Sequence, residues 1–143
     1  MEKKPIYLET RIDMLIETPN NTIPRSAEET FNFLSKPAKF KALMPESIEK
    51  FEVLSDTRFL FALKGMPEIV LEQKETIPFT KIILGAASEK LPFTLTATIA
   101  PVTPTSSTVA LSFSGEFNAM MGMMIKNPIT KFINTLATNM NKI

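Results

Sequence analysis

Residues 109–143 read VALSFSGEFNAMMGMMIKNPITKFINTLATNMNKI, and the spacing of their apolar positions changes at Asn118. Before that point Val109, Leu111, Phe113 and Phe117 oppose Thr108, Ala110, Ser112, Ser114 and Glu116, the two-residue alternation of a half-buried strand. Beyond it Met121, Ile125, Ile129, Phe132, Ile133, Leu136, Met140 and Ile143 recur at three- and four-residue spacing, one stripe of an amphipathic helix. Asn118 is placed to cap that helix. Asn127-Pro128 predicts a kink or a short break, with Asn127 as a second cap and Pro128 opening a new helical segment.

The same alternation appears upstream. Residues 6–18 place Leu8, Ile12, Met14 and Ile16 on one face, with Glu9, Arg11, Asp13 and Glu17 on the other, and Pro19-Asn20-Asn21 ends the strand. Phe51 and Val53 alternate, then Asp56-Thr57 turns the chain, then Phe59, Phe61 and Leu63 alternate opposite Arg58 and Lys64. After a Gly65-Met66-Pro67 turn, residues 68–76 can be phased two ways. The phase with Ile69, Leu71 and Gln73 inward is preferred, because the other buries Glu72 and Lys74. Ile82, Leu84 and Ala86 point inward from Thr80–Ala87, which Ser88-Glu89-Lys90 turns. Phe93, Leu95, Ala97 and Ile99 follow, and Pro101 to Ser107 reads as a proline-containing loop.

Between the first two strands the pattern is helical. Ser26 and Glu29 form a capping box, each side chain reaching an orphan N–H of the first turn, and Phe31, Phe33 and Leu34 supply an apolar face. Pro37 ends this helix and opens a shorter one with Phe40, Leu43 and Met44, closed by Pro45. The fold class is therefore α+β: a seven-stranded antiparallel sheet, two short helices after its first strand, and a long C-terminal helix. Each strand is apolar on one face, and the C-terminal helix is the element long enough to cover that face. A sheet wrapped around one helix is hard to fill completely with side chains, so the residues leave two readings open: an ordinary filled core, as an apolar stripe usually means, and a packed core that encloses an apolar cavity.

The 143 residues suit one domain, residues 1–143, able to bury ~70% of its unfolded surface. The chain has no histidine, cysteine or tryptophan. That excludes disulfides, thiolate nucleophiles, iron–sulfur clusters and thiolate zinc sites, and removes the commonest general base. Sixteen basic residues against fifteen acidic ones give a net charge of +1, which argues against a nucleic-acid surface. Neither a signal peptide nor a membrane-spanning run is visible, so the expectation is a cytoplasmic protein without stable membrane insertion.

Three phrases carry a resemblance: IPRSAEETFNFLSKPAKFKALMPESI at residues 23–48, DTRFLFALKGMPEIVLE at 56–72, and FNAMMGMMIKNPITKFINTLATNM at 117–140. With the order of elements they resemble the helix-grip fold of the START, polyketide-cyclase and birch-pollen-allergen (SRPBCC) superfamily. Within it they are most similar to small bacterial stand-alone members related to carbon monoxide dehydrogenase G. The resemblance implies a cavity for a hydrophobic small molecule, and brings no catalytic signature that can be placed on this chain.

The function read from the sequence is binding or carriage of a lipid or isoprenoid-like molecule between the sheet and the C-terminal helix. From the sheet, Met14, Phe59, Phe61, Leu71, Phe93, Leu95, Leu111 and Phe113 are the expected lining residues. Met121, Met124, Ile125 and Phe132 face them from the helix, and Gln73 or Thr10 orients a polar head, with Tyr7 at the mouth. No catalytic residue, cofactor or metal site is assigned. Four of the nine methionines fall between Met120 and Met124 around Gly122, which suggests either core filling or an adaptable lid. Glu9, Asp13 and Glu17 share a face with Arg11 and read as a solvated surface rather than an acid–base or calcium site. Lys36, Lys39 and Lys41 are a weak nucleic-acid signal without stacking aromatics. Two alternatives remain open: a cyclase- or dehydratase-type enzyme, and an interaction module docking on another protein or on a second copy through the methionine-rich helix start.

Overall fold

A computed structural model describes residues 11–87 and 92–143. The expectations for Tyr7, Leu8, Glu9, Thr10 and the Ser88-Glu89-Lys90 turn lie outside these residues. The elements run β1 (Arg11–Glu17), β2 (Asn21–Ile23), α1 (Ala27–Leu34), a 3₁₀ helix (Pro37–Leu43), β3 (Lys50–Val53), β4 (Arg58–Ala62), β5 (Ile69–Ile77), β6 (Lys81–Ala86), β7 (Phe93–Thr103), β8 (Ser106–Asn118), α2 (Ala119–Asn139) and a last 3₁₀ turn (Met140–Lys142). One antiparallel sheet has the order β1-β8-β7-β6-β5-β4-β3, with β2 also paired to β8. Its concave face receives α2 and the two short helices. This is the helix-grip arrangement.

Eight strands replace the expected seven, and the reason is local. Pro19 cannot donate to a ladder, so β1 stops, but β8 is long enough to pair again with the chain at Asn21. Thr18 bridges the gap. Its N–H donates to the Leu111 carbonyl at 2.9 Å, and its hydroxyl accepts from the Leu111 N–H at 2.9 Å. The expected loop from Pro101 to Ser107 is also shorter than read. β7 continues to Thr103 through a register shift between Pro101 and Thr103, and the hairpin closes with Thr103 and Ser106 hydroxyls 2.7 Å apart.

The strand phases agree with the alternation. Met14, Phe59, Phe61, Leu71, Ile82, Leu84, Phe93, Leu95, Ile99, Leu111 and Phe113 are all buried. Glu72 and Lys74 sit on the outer face, where Glu72 faces Arg58 across the β4–β5 pair. A register shift between Gln73 and Glu75 leaves Lys74 without a cross-strand partner, and its stem folds across Gly85 to reach Glu72. Ser26 caps α1 by accepting from the Glu29 N–H at 3.1 Å. The other half of the expected capping box differs: the Glu29 carboxylate accepts the Ser26 hydroxyl at 3.1 Å.

α2 starts at its predicted cap, where Asn118 Oδ1 accepts from the Met121 N–H at 2.8 Å. It then runs through Pro128 without the expected break. Pro128 has no N–H for the Met124 carbonyl, but Met124 is exposed and water can satisfy that oxygen. Ile125, Ile129, Phe132 and Ile133 are buried on both sides of the proline, and that packing holds the helix continuous.

Candidate functional site

Phenylalanines fill the concavity. Phe40 of the 3₁₀ helix stacks on Phe59 at 5.0 Å, Phe59 leans on Phe61, and Phe61 stacks on Phe132 of α2 at 4.9 Å. A second cluster joins Phe93, Phe113 and Phe117. The rings expected to line a cavity therefore pack on one another. Among the described residues a void of about 10 Å³ lies between Leu34, Phe40, Leu84, Leu95, Leu111 and Leu136 and their neighbours, room for one water and without a polar group to hold it.

The larger space lies beside the helix. A groove of about 510 Å³ opens between the middle of α2, the end of β4 and the segment leaving the first 3₁₀ helix. Its floor is Leu63 and Phe132, which are 7% and 4% exposed. Pro45, Pro128 and Thr135 flank the floor, while Ser47, Lys64, Asn127 and Lys131 stand exposed at the rim. The Thr135 hydroxyl donates to the Lys131 carbonyl at 2.8 Å, so it is already engaged. A floor of this kind with a few polar groups above it suits a small apolar or amphipathic molecule. A second, shallower space of about 210 Å³ is lined by amides, including Asn20, Asn21, Asn134 and Asn141.

Of the thirteen described residues expected to contact ligand, only Phe132 reaches the groove. Met14, Phe59, Phe61, Leu71, Phe93, Leu95, Leu111, Phe113 and Ile125 are core residues, and Met121 is half-buried against them. Met124 does not face the sheet at all; it is 60% exposed. Gln73 does point inward, but its amide donates to the Ser35 carbonyl at 3.1 Å and so fastens the end of α1. Asn139 and Asn21 act alike, donating to the Leu43 and Ala137 carbonyls at 2.9 and 2.8 Å. The groove residues missed in the sequence were visible there only as Leu63, the apolar position that follows β4, and as Pro128, Lys131 and Thr135 at three- and four-residue spacing on the flank of the helix stripe.

Every described carboxylate and lysine lies outside the core. Glu72 is the described carboxyl with a resolved shift: the Lys74 ammonium and then the Arg58 guanidinium hold it below the ordinary carboxylate range, on the outer face. Among the described residues no group of three or more metal-binding side chains is found. No described helix is long and apolar enough to cross a membrane.

No family model and no curated protein matches the chain. Solved structures do match, over nearly its whole length. Norcoclaurine synthase from Thalictrum flavum, solved with dopamine and hydroxybenzaldehyde, is similar at a TM-score of 0.72 and 14% identity, covering 99% of this chain and 92% of that one. A START superfamily protein from Mycobacterium smegmatis gives 0.65 at 12% identity, covering 92% and 94%. A conserved protein from Geobacillus kaustophilus gives 0.59 at 10%, covering 92% and 93%. The chain thus shares the helix-grip fold of these structures. The narrower likeness to carbon monoxide dehydrogenase G rests on the sequence phrases alone.

Proposed function

We propose that the protein binds a hydrophobic small molecule, and that it does so in the groove beside α2 rather than in a closed chamber beneath it. The observation that carries this reading is the groove itself. Its volume falls within the range of roughly 300–1,000 Å³ typical of ligand sites, and its floor presents Leu63 and Phe132 beside the packed rings of the described concave face. Its fold neighbours include one protein solved with small aromatic molecules, and that supports the reading at the level of the fold. Binding would come from apolar burial at ~25 cal/mol per Å².

Native mass spectrometry with lipid extraction, on protein purified from its own host, tests this. A co-purifying hydrophobic molecule is expected, lost in a Thr135→Trp variant that fills the groove. No bound molecule, together with no thermal shift across a lipid panel, would defeat the proposal.

A second reading has its own observation. Met120, Met123 and Met124 are 45%, 79% and 60% exposed on the first turns of α2, an adaptable apolar patch of the kind that docks on protein surfaces. Under that reading Met123→Lys abolishes association with the partner and leaves groove ligands unaffected.

A further inference from the structure

We infer that the molecule held in the groove is a single-chain amphiphile ending in a carboxylate, with Lys64 and Lys131 neutralising its head. This rests on the groove being the ligand seat, and it adds the chemical class of the ligand.

Charge selects an anion. The chain as a whole is nearly neutral, yet residues 117–143 contain Lys126, Lys131 and Lys142 and not one acidic residue. Lys131 therefore has no carboxylate on its own helix to pair with. Across the groove stands Lys64 from the turn after β4. Among the described residues neither lysine makes an ion pair, although Arg25, Lys50, Arg58 and Lys74 all do. No carboxylate lines the groove among the described residues. Two unpaired ammonium groups above an apolar floor set a positive field over a low-dielectric surface, which favours an anion there.

Shape selects the rest of the molecule. Leu63 and Phe132 lie below the lysines and offer apolar burial, so the anion must carry a hydrocarbon body. The head is assigned as a carboxylate because of how the charge is supplied. Phosphate sites recruit guanidinium forks or the N–H groups of a helix N-terminus. Here the helix crosses the groove with its middle turns, Asn127 to Thr135, whose N–H groups after Pro128 are engaged within the helix, and the cations are two separate point charges. A carboxylate head, with one oxygen to accept from each ammonium, fits that arrangement.

Decanoate, 1-decanol and decyl phosphate, kept below any micellar concentration, separate the possibilities by NMR titration of the full chain. Decanoate is expected to shift the resonances of Leu63, Asn127, Lys131 and Thr135 and to bind about tenfold more tightly than decanol. Lys64→Gln and Lys131→Gln should each weaken decanoate several-fold and leave decanol unchanged, and high salt should mimic them. Equal affinity for decanoate and decanol, or an unaltered decanoate affinity in the double variant, would overturn the anion assignment while sparing the groove. Tighter binding of decyl phosphate than of decanoate would overturn the carboxylate. If neither decanoate nor decanol shifts the groove resonances, the groove reading falls, and this inference with it.

Discussion

Two glycines show how much a single missing side chain decides. A Cβ on Gly115 would sit 2.7 Å from the Phe117 ring and 2.9 Å from the Pro92 carbonyl, and the carbonyl belongs to the backbone and cannot swing aside. A Cβ on Gly122 meets nothing closer than Ile12 at 3.5 Å, an ordinary contact. Gly115→Ala should therefore cost about 1–3 kcal/mol from overpacking, whereas Gly122→Ala should gain up to ~1 kcal/mol of helix propensity. Urea denaturation of the two variants checks this pair, and equal destabilisation would refute it. Glu72 makes a prediction in pH. Its folded carboxyl titrates below the ordinary 4.5, so its ion pairs contribute stability above that pH, and the contribution is lost as pH falls through the lowered value. The stability gap between the native protein and Glu72→Gln should be full at neutral pH and close steadily below about pH 4.5. A gap that persists undiminished in acid would show that Glu72 acts through something other than its charge. Phe79 is a further local oddity: it holds a φ of +65° at the turn between β5 and β6, where glycine is the usual occupant, and its ring rests edge-on against Phe31 at 5.8 Å.

Between elements, buried polar pairs do the fastening. Thr30 of α1 and Ser107 of β8 are both fully buried, with hydroxyls 3.0 Å apart, and Ser107 donates its proton to the Arg25 carbonyl at 2.8 Å. The Thr30 hydroxyl must then donate to Ser107. Ser107→Ala strands that donor and should cost about 1–3 kcal/mol, while the Thr30→Val/Ser107→Ala double variant should cost less than the sum of the singles. Strict additivity in a double-mutant cycle would argue against the pairing. The start of α2 marks how far local spacing reaches at this scale. Consecutive residues turn ~100° apart, so Met124 lies a quarter-turn off the buried Ile125–Ile129–Phe132 stripe, and that arithmetic was available from the spacing. The methionine cluster around Gly122 allows two readings, core filling at the helix start and an adaptable lid where the glycine weakens the helix. Gly122 is buried beside Ile12 and Met14, so that face of the start of α2 rests on β1, while Met120, Met123 and Met124 are exposed. Helix continuity through Pro128 could not be read locally. A proline removes one hydrogen bond, and whether the helix survives depends on packing from residues far away in sequence.

At the scale of the whole molecule the question is where empty space lies. If ligand sits in the groove, Phe113→Leu, in the separate Phe93–Phe113–Phe117 cluster, should lower stability by about 1–2 kcal/mol and leave ligand affinity unchanged. Calorimetry showing affinity falling in step with stability would return the ligand to the interior.

The period change at Asn118, the strand phases and the inward direction of Gln73 follow from local alternation, because in-or-out is settled by the free energy of burying each side chain. The same alternation defines the sheet, the covering helix and the composition of the concave face. It does not say whether that face is hollow. Eleven phenylalanines can line a cavity or close it, and the difference lies in whether rings from β4, the first 3₁₀ helix and α2 meet across the gap. They do meet, at 4.9 and 5.0 Å, and a groove opens on the flank of α2, lined by Lys64 and Lys131 from positions sixty-seven residues apart. Packing is a property of three-dimensional shape, which periodicity does not encode, so the composition of the concave face was legible in one dimension and the groove beside it only in three.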